Sequence, residues 1–243
     1  MQLLVVGAGE MGRWFARQSG ADSVAFADRD PDVAEDAAAS VGTARTVGLD
    51  TEETFDVVCL AVPMSAVPEA IAEHADKADR AVVDISGEMR DSVVALRTHA
   101  EGRERASFHP LFSSTNAPGN VPVVVDCGGP VVDRIRSALA AAGNDVFETT
   151  PSTHDRAMET VQARAHTAIL AYALAAEEVD PRFHTSLSEP LSELVEGVLN
   201  NTPSVYAEIQ ERFEGAASVA AAADRIAEAD REAFLELYEV TEE

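Results

Sequence analysis

Leu3-Leu4-Val5-Val6-Gly7-Ala8-Gly9-Glu10-Met11-Gly12, continuing into the helical stretch Arg13 to Ser19, decides the fold. The apolar run reads as a strand, and the GxGxxG spacing turns it directly into a helix. Each glycine has its own task. Gly7 permits the tight turn, Gly9 lets the backbone approach a pyrophosphate, and Gly12 lets the helix pack closely on the strand. Glu10 and Met11 begin the helix, where N–H groups without helical acceptors face phosphates. Gly7, Gly9, Glu10, Met11 and Gly12 are therefore expected to hold a dinucleotide.

The second strand ends at Asp28, sixteen residues past Gly12. A carboxylate there accepts hydrogen bonds from both adenosine ribose hydroxyls and repels a 2′-phosphate, which favours NAD over NADP. Arg29 tempers that preference, since a neighbouring guanidinium can turn toward a phosphate. Further along, Val24 to Ala27, Val57 to Ala61, Ala81 to Ile85 and Val121 to Val125 alternate with amphipathic stretches. Such alternation predicts an α/β fold with a doubly wound, mostly parallel sheet of the Rossmann type. Asp30-Pro31 has the form of an N-cap and first helical residue, and Gly42 stops the helix that it opens. Cys59-Leu60-Ala61-Val62-Pro63 closes the fourth strand, where Ala61 and Pro63 leave room for a flat nicotinamide ring.

After the strand Asp145 to Thr149 the pattern becomes helical alone. Ser152 and Asp155 have capping-box spacing, and Ser152 to Glu177, Leu187 to Asn200, Ser204 to Glu214 and Ala216 to Tyr238 read as helices. Two domains follow: residues 1–150 bind NAD, and residues 151–243 form an all-α C-terminal domain.

Composition bounds the setting. Net charge is -25 and Lys77 is the sole lysine, a surface that repels nucleic acid and anionic membranes. Acidic excess with lysine depletion resembles proteins of salt-in halophiles, whose carboxylates keep a folded surface hydrated in screening salt. No signal peptide or long apolar run is present, so a cytoplasmic location is expected. Cys59 and Cys127 show no ligand spacing and read as free, buried thiols.

Ser107-Phe108-His109-Pro110-Leu111-Phe112 follows another strand-like run, which brings His109 to the carboxyl edge of the sheet. Pro110 holds it extended. An imidazole there can take the proton of a substrate hydroxyl as hydride leaves the same carbon. In the second half, Asp155, Gln162 and His166 are spaced by seven and four residues and would line one helical face.

Taken together, these landmarks resemble the prephenate dehydrogenase (TyrA) family. The match runs through Gly7 to Gly12 and Trp14, Ala61-Val62-Pro63, His109-Pro110-Leu111-Phe112, His154-Asp155 with Met158, Val161, Gln162 and His166, and Tyr206-Ala207-Glu208-Ile209. The resemblance implies NAD-dependent oxidative decarboxylation of prephenate to 4-hydroxyphenylpyruvate in tyrosine biosynthesis, with no metal. It makes His109 catalytic, supported by a serine whose nearest equivalent is Ser86, and it implies a homodimer through the helical domain. Substrate would meet Asp155, Gln162 and His166. The family arginine that meets a substrate carboxylate falls at Gly197, so Arg164 or Arg156 is expected to supply the cation. No room remains before Glu243 for a fused mutase or regulatory domain, which makes feedback by tyrosine an unexpected property.

Three alternatives stay open. Arogenate is the near-variant substrate. A Rossmann-plus-helical oxidoreductase acting on an imine or 2-hydroxy acid is favoured by Gly197 and the altered Ser86 loop, and an NAD-binding protein without catalysis by the missing arginine.

Overall fold

A computed structural model of the chain describes residues 1–42 and 44–240. It divides into two compact units, Met1–Asp155 and Arg156–Glu243. The division falls inside a helix, five residues past the sequence boundary of 150.

In the first unit the elements are β1 (Gln2–Val6), α1 (Glu10–Gln18), β2 (Ser23–Ala27), α2 (Pro31–Ser40), β3 (Ala44–Thr46), β4 (Phe55–Leu60), α3 (Val67–His74), β5 (Ala78–Asp84), α4 (Arg90–His99), β6 (Glu104–Phe108), β7 (Asn120–Cys127), α5 (Pro130–Ala141), β8 (Asp145–Glu148) and α6 (Pro151–Met158). The eight strands form one sheet in the order β3-β2-β1-β4-β5-β6-β7-β8. Side chains alternate across it. Leu3 and Val5 join Phe15, Phe26, Phe108 and Ile135 on one side, whereas Leu4 and Val6 join Phe55, Leu60, Ile71 and Leu96 on the other. Burial of both faces explains why β1 is apolar at every position from Leu3 to Val6.

The sheet is parallel except between β6 and β7, which run antiparallel. The segment joining them holds only the single 3-10 turn Ser114–Asn116. That is too little chain for a helical crossover, so β7 returns as a hairpin partner.

Asp30 caps α2 as expected, its carboxylate accepting from the Asp32 N–H at 3.0 Å. At α6 the cap is Thr150 rather than Ser152: its hydroxyl accepts from the Thr153 N–H at 3.2 Å, and Pro151 fills the first helical position. Asp155 is thereby released from capping and turns inward. Cys59 is buried, but Cys127, at the end of β7, is exposed, which corrects the expectation of two buried thiols. Lys77 is half-buried, donates to the Leu49 carbonyl at 2.7 Å and lies 2.7 Å from His74 Nδ1. Burial, then the Lys77 charge, holds the His74 imidazole below its ordinary titration range.

The second unit is helical: a π-helical turn (Glu159–Arg164) continues α6, followed by α7 (Ala165–Ala175), α8 (Ser188–Leu199), α9 (Pro203–Arg212), α10 (Ala216–Glu228) and α11 (Arg231–Val240). Two differences from the sequence reading have local causes. In the π turn the Ala163 carbonyl accepts from the Thr167 hydroxyl at 2.7 Å and from the Gln210 side-chain amide at 3.0 Å. Gly215 also comes so close that a Cβ would collide with Ala163 and Arg164. The stretch expected as one helix from Ala216 to Tyr238 breaks at Ala229-Asp230, because the Asp230 carboxylate caps α11 through the Ala233 N–H at 3.0 Å. Among the described residues no helix is long and apolar enough to cross a membrane.

The glycine turn deserves its spacing on steric grounds. Gly7 has φ +97°, and a Cβ on it would collide with the Ala61 carbonyl oxygen. One on Gly12 would collide with the Gly7 carbonyl oxygen, while one on Gly9 would meet nothing within 4 Å. Gly12→Ala should therefore cost about 1–3 kcal/mol of stability, and Gly9→Ala less than about 1 kcal/mol. Equal losses in denaturant titrations of the two variants would contradict this division. The carboxylates of α10 and α11 stand exposed at Asp224, Glu228, Glu232, Glu236 and Glu239. Their repulsion predicts a melting temperature that rises as KCl is raised from tenth-molar to molar concentrations, and a flat response in calorimetry would contradict it.

Candidate functional site

Strand order reverses between β1 and β4, and the carboxyl ends of these strands carry Gly7 and Ala61. A crevice at such a reversal is where open α/β sheets bind ligands. The Ala61 N–H continues the sheet by donating to the Val6 carbonyl at 2.7 Å. Gly9 forms the N-cap of α1 with no side-chain cap, leaving the first-turn N–H groups and the open space beside Gly9 for an anion. Asp28 stands at the end of β2, its Oδ2 accepting from the Ala8 N–H at 2.7 Å and its Oδ1 from the Asp30 N–H at 3.0 Å. Each oxygen keeps a second lone pair for a hydroxyl. Glu10 is exposed and accepts from the Ser114 hydroxyl at 3.1 Å, whereas Met11 packs against the core. Pro63 is exposed at the crevice mouth. These features fit a dinucleotide: Gly9 is a cradle that a Cβ would fill, and Asp28 is an acceptor fixed by main chain.

His109 follows β6 and is buried, with 7% of its surface exposed. Its main-chain N–H donates to the Pro122 carbonyl at 3.0 Å, which fixes the backbone against β7. Nδ1 lies 2.8 Å from His154 Nε2, and His154 Nδ1 lies 2.8 Å from Asp155 Oδ1. The same Asp155 oxygen accepts from the Met89 N–H at 3.2 Å. A Cβ built on Gly87 would stand 3.5 Å from His109 Nε2 and 2.7 Å from Met64 Sδ. Gly87 therefore lets the loop after β5 lie between the imidazole and the segment that follows Pro63. Burial, reinforced by the neighbouring His154, pushes the His109 imidazole down to about 3, although Asp155 works the other way.

The acids around this centre are buried too. Asp84 ends β5 with Oδ1 accepting from the Ser86 N–H at 3.1 Å and the Ser107 hydroxyl at 3.0 Å, while Oδ2 has no hydrogen-bond partner. Burial pushes it up to about 7. Burial likewise raises Glu88 to about 7, against the N–H groups of Asp91 and Arg90 that it accepts from at the start of α4. Burial acts against ionisation of Asp155 as well, but hydrogen bonds from His154, the Met89 N–H and Glu88 hold its carboxyl below the usual range.

Two sequence expectations change here. The Ser86 hydroxyl, expected to support His109, is used within its own turn, donating to the Glu88 carbonyl and accepting from the Glu88 N–H, both at 3.2 Å. The common face expected for Asp155, Gln162 and His166 assumed an unbroken 3.6-residue phase, and a π turn occupies Glu159–Arg164. Sequence reasoning named neither His154 nor Gly87 nor Met64 as site residues. The adjacency of His154 to Asp155 on a capped helix was the available signal.

In the second unit, His166 packs edge-on against Tyr206 with ring centroids 4.8 Å apart. Its Nδ1 is buried without a hydrogen-bond partner among the described residues, and burial lowers its titration. Arg164 donates to the Thr160 hydroxyl at 2.9 Å, and its Nε is buried without a partner. Gln162 is half-buried on the π turn, and Arg156 is exposed. Gly197 lies in α8 with open space where a side chain would stand.

Comparison with known proteins bears on this arrangement. Residues 2–88 match the family described as NADP oxidoreductase coenzyme F420-dependent. The 4-amino-4-deoxyprephenate dehydrogenase of Streptomyces pristinaespiralis is 27% identical over 88% of this chain and 78% of its own length. A probable arogenate/prephenate dehydrogenase of Methanocaldococcus jannaschii is 24% identical over 85% of this chain, which spans only 50% of that relative. Among solved structures, prephenate dehydrogenase from Aquifex aeolicus, in complex with hydroxyphenyl propionate and NAD+, superposes with a TM-score of 0.72 at 18% identity, covering 99% of this chain and 96% of that one. Synechocystis arogenate dehydrogenase gives 0.64 at 17% identity, covering 100% and 98%. Similarity at modest identity along most of the chain and likeness of fold thus agree on the prephenate and arogenate dehydrogenases as relatives of this protein.

Proposed function

We propose that this protein is an NAD-dependent dehydrogenase that converts prephenate to 4-hydroxyphenylpyruvate and carbon dioxide, with His109 as the base. The observation that carries this reading is the buried His109 imidazole, set across Gly87 from Met64 at the carboxyl edge of a glycine-turn sheet, where burial disfavours its charged form. Residues 1–150 would hold the cofactor, with Gly7, Gly9, Glu10, Met11 and Gly12 at the pyrophosphate, Asp28 at the ribose, and Ala61 and Pro63 beside the nicotinamide. Bound NAD supplies the hydride acceptor. His109 takes the proton of the ring 4-hydroxyl as hydride leaves the same carbon, and returns it to the phenolate oxygen once carbon dioxide has gone. Ser86 keeps the loop beside His109 in shape through Glu88. In residues 151–243, Gln162, His166 and Arg164 are assigned to substrate. The buried Nε of Arg164 and Nδ1 of His166 are donors suited to a carboxylate.

The assay that tests this reading is NADH formation in molar salt with prephenate, arogenate and 4-amino-4-deoxyprephenate offered separately, the last because a relative is named for it. His109→Ala should lower kcat by about 10²–10⁴-fold with NAD affinity retained. No turnover of any of the three by a folded, NAD-binding protein would overturn the proposal. An imidazole accepts a proton only when neutral, and burial has moved this one from 6.5 to about 3. The acid limb of kcat/KM should therefore fall well below pH 6.5, and a limb centred at 6.5 would contradict the buried base.

We further assign the helical unit to homodimerisation. The α7 sequence AHTAILAYALA is apolar nearly all round, yet none of its residues is buried. A helix of that composition belongs in a core. Leu174, Leu187 and Phe183 are 88%, 83% and 78% exposed, beyond what a monomer surface ordinarily leaves to water. Light scattering should give twice the 25.8 kDa chain mass, and Leu174→Glu should shift it toward the monomer. A monomeric wild type would contradict the assignment.

A further inference from the structure

An imidazole has two nitrogens, and only the one without a proton can act as the base. Hydrogen-bond inventory identifies it. The Asp155 carboxylate can only accept, so the 2.8 Å contact places a proton on His154 Nδ1. In a neutral imidazole the other nitrogen is a lone pair, so with His154 uncharged its Nε2 accepts, and the 2.8 Å contact requires the proton on His109 Nδ1. His109 Nε2 is left as the lone pair, and that is the atom beside Gly87.

We infer that His154 and Asp155 are positioning residues for His109, a His-Asp relay on α6 that fixes its tautomer with Nε2 as the proton acceptor and shares the charge that arrives there. This deepens the proposed function and rests on it for the identity of the proton donor. When the substrate O–H bond breaks, an N–H bond forms at His109 Nε2. The Nδ1 proton is held more tightly toward His154, whose own Nδ1 proton is held by the Asp155 carboxylate. The positive charge is thus met by a buried anion through one intervening ring. The cycle closes when Nε2 returns the proton to the phenolate, so no proton is gained or lost.

The groups that face the relay favour this polarity. Glu88, raised by burial, hydrogen-bonds to Asp155 as its acid, and Met89 donates a main-chain N–H to the same carboxylate. Arg90 adds a guanidinium 3.9 Å from Asp155 Oδ2, on the solvent side. All of these keep Asp155 ionised. A carboxylate fixing a histidine tautomer is the same physical device that orients the imidazole of serine proteases, here extended by a second imidazole.

The test uses the full chain with ¹⁵N-labelled histidine. Wild type should show His109 with Nδ1 protonated and Nε2 unprotonated. Asp155→Asn offers His154 an amide donor, which moves the His154 proton to Nε2 and hence the His109 proton to Nε2, reversing the tautomer. In steady-state kinetics this variant should lose about 10²–10⁴-fold in kcat with KM and NAD affinity within a few-fold. His154→Leu should lose a similar factor, and His154→Gln, which keeps an acceptor for His109 Nδ1, should recover at least about tenfold of it. An unchanged His109 tautomer in both Asp155→Asn and His154→Leu, or kcat within about threefold of wild type in both, would overturn the inference. The tautomer readout does not need turnover. Wild type inactive on every substrate with the expected tautomer would sink the proposed function and leave the relay standing. If His154→Leu does not fold, the near-isosteric Asp155→Asn and His154→Gln pair carries the decision.

Discussion

Where β1 and β4 end side by side, the main chain runs so close that Gly7 has no room for a side chain against the Ala61 carbonyl. This approach follows from the strand order, since the chain winds outward through β2 and β3 and must come back beside β1 to start β4. Helices cover both faces of the sheet, so the crevice opens at the strand ends. The rest of the site is assembled along that edge. Ala61 leads through Pro63 to Met64, the loop after β5 passes at Gly87, and β6 delivers His109. A larger residue at Gly7 would force apart the two strands on which all of these depend.

The electrostatics of the edge run against the composition of the chain. A protein with 43 acidic residues would be expected to keep its carboxylates ionised, yet burial raises Asp84 and Glu88 to about 7. The same burial drives His109 down to about 3. The region resists isolated charge of either sign, and charge is tolerated where hydrogen bonds spread it, as at Asp155. Surface acidity and interior neutrality therefore answer to different solvents: water and salt outside, packed protein within.

Much of this was legible in sequence because its causes are local. The glycine turn, the Asp30 cap and the apolar strands depend on residues within one turn or one strand of each other. His109 at the strand end was legible for the same reason. Its partner was not, since His154 is 45 residues away and is brought in by the start of α6. The π turn could not be read either. It depends on a hydroxyl, an amide from α9 and a glycine before α10 meeting at Ala163, none of which alters the hydrophobic period. At Asp230 the signal was present and local, but the continuing alanine-rich pattern masked it.

Lys77, the sole lysine, reaches inward to the Leu49 carbonyl and the ring of His74. Every exposed lysine-or-arginine side chain is therefore a guanidinium, which does not lose its proton in any ordinary medium. Between neutrality and strong alkali the surface groups left to titrate are that one amine, three tyrosines, the exposed thiol and a terminal amine, against 17 arginines and a large excess of exposed carboxylates whose charge does not change. Alkaline surroundings, which bleed positive charge from lysine-rich proteins, thus leave the balance of this surface almost where it stood, and its hydration becomes a question of salt rather than of pH.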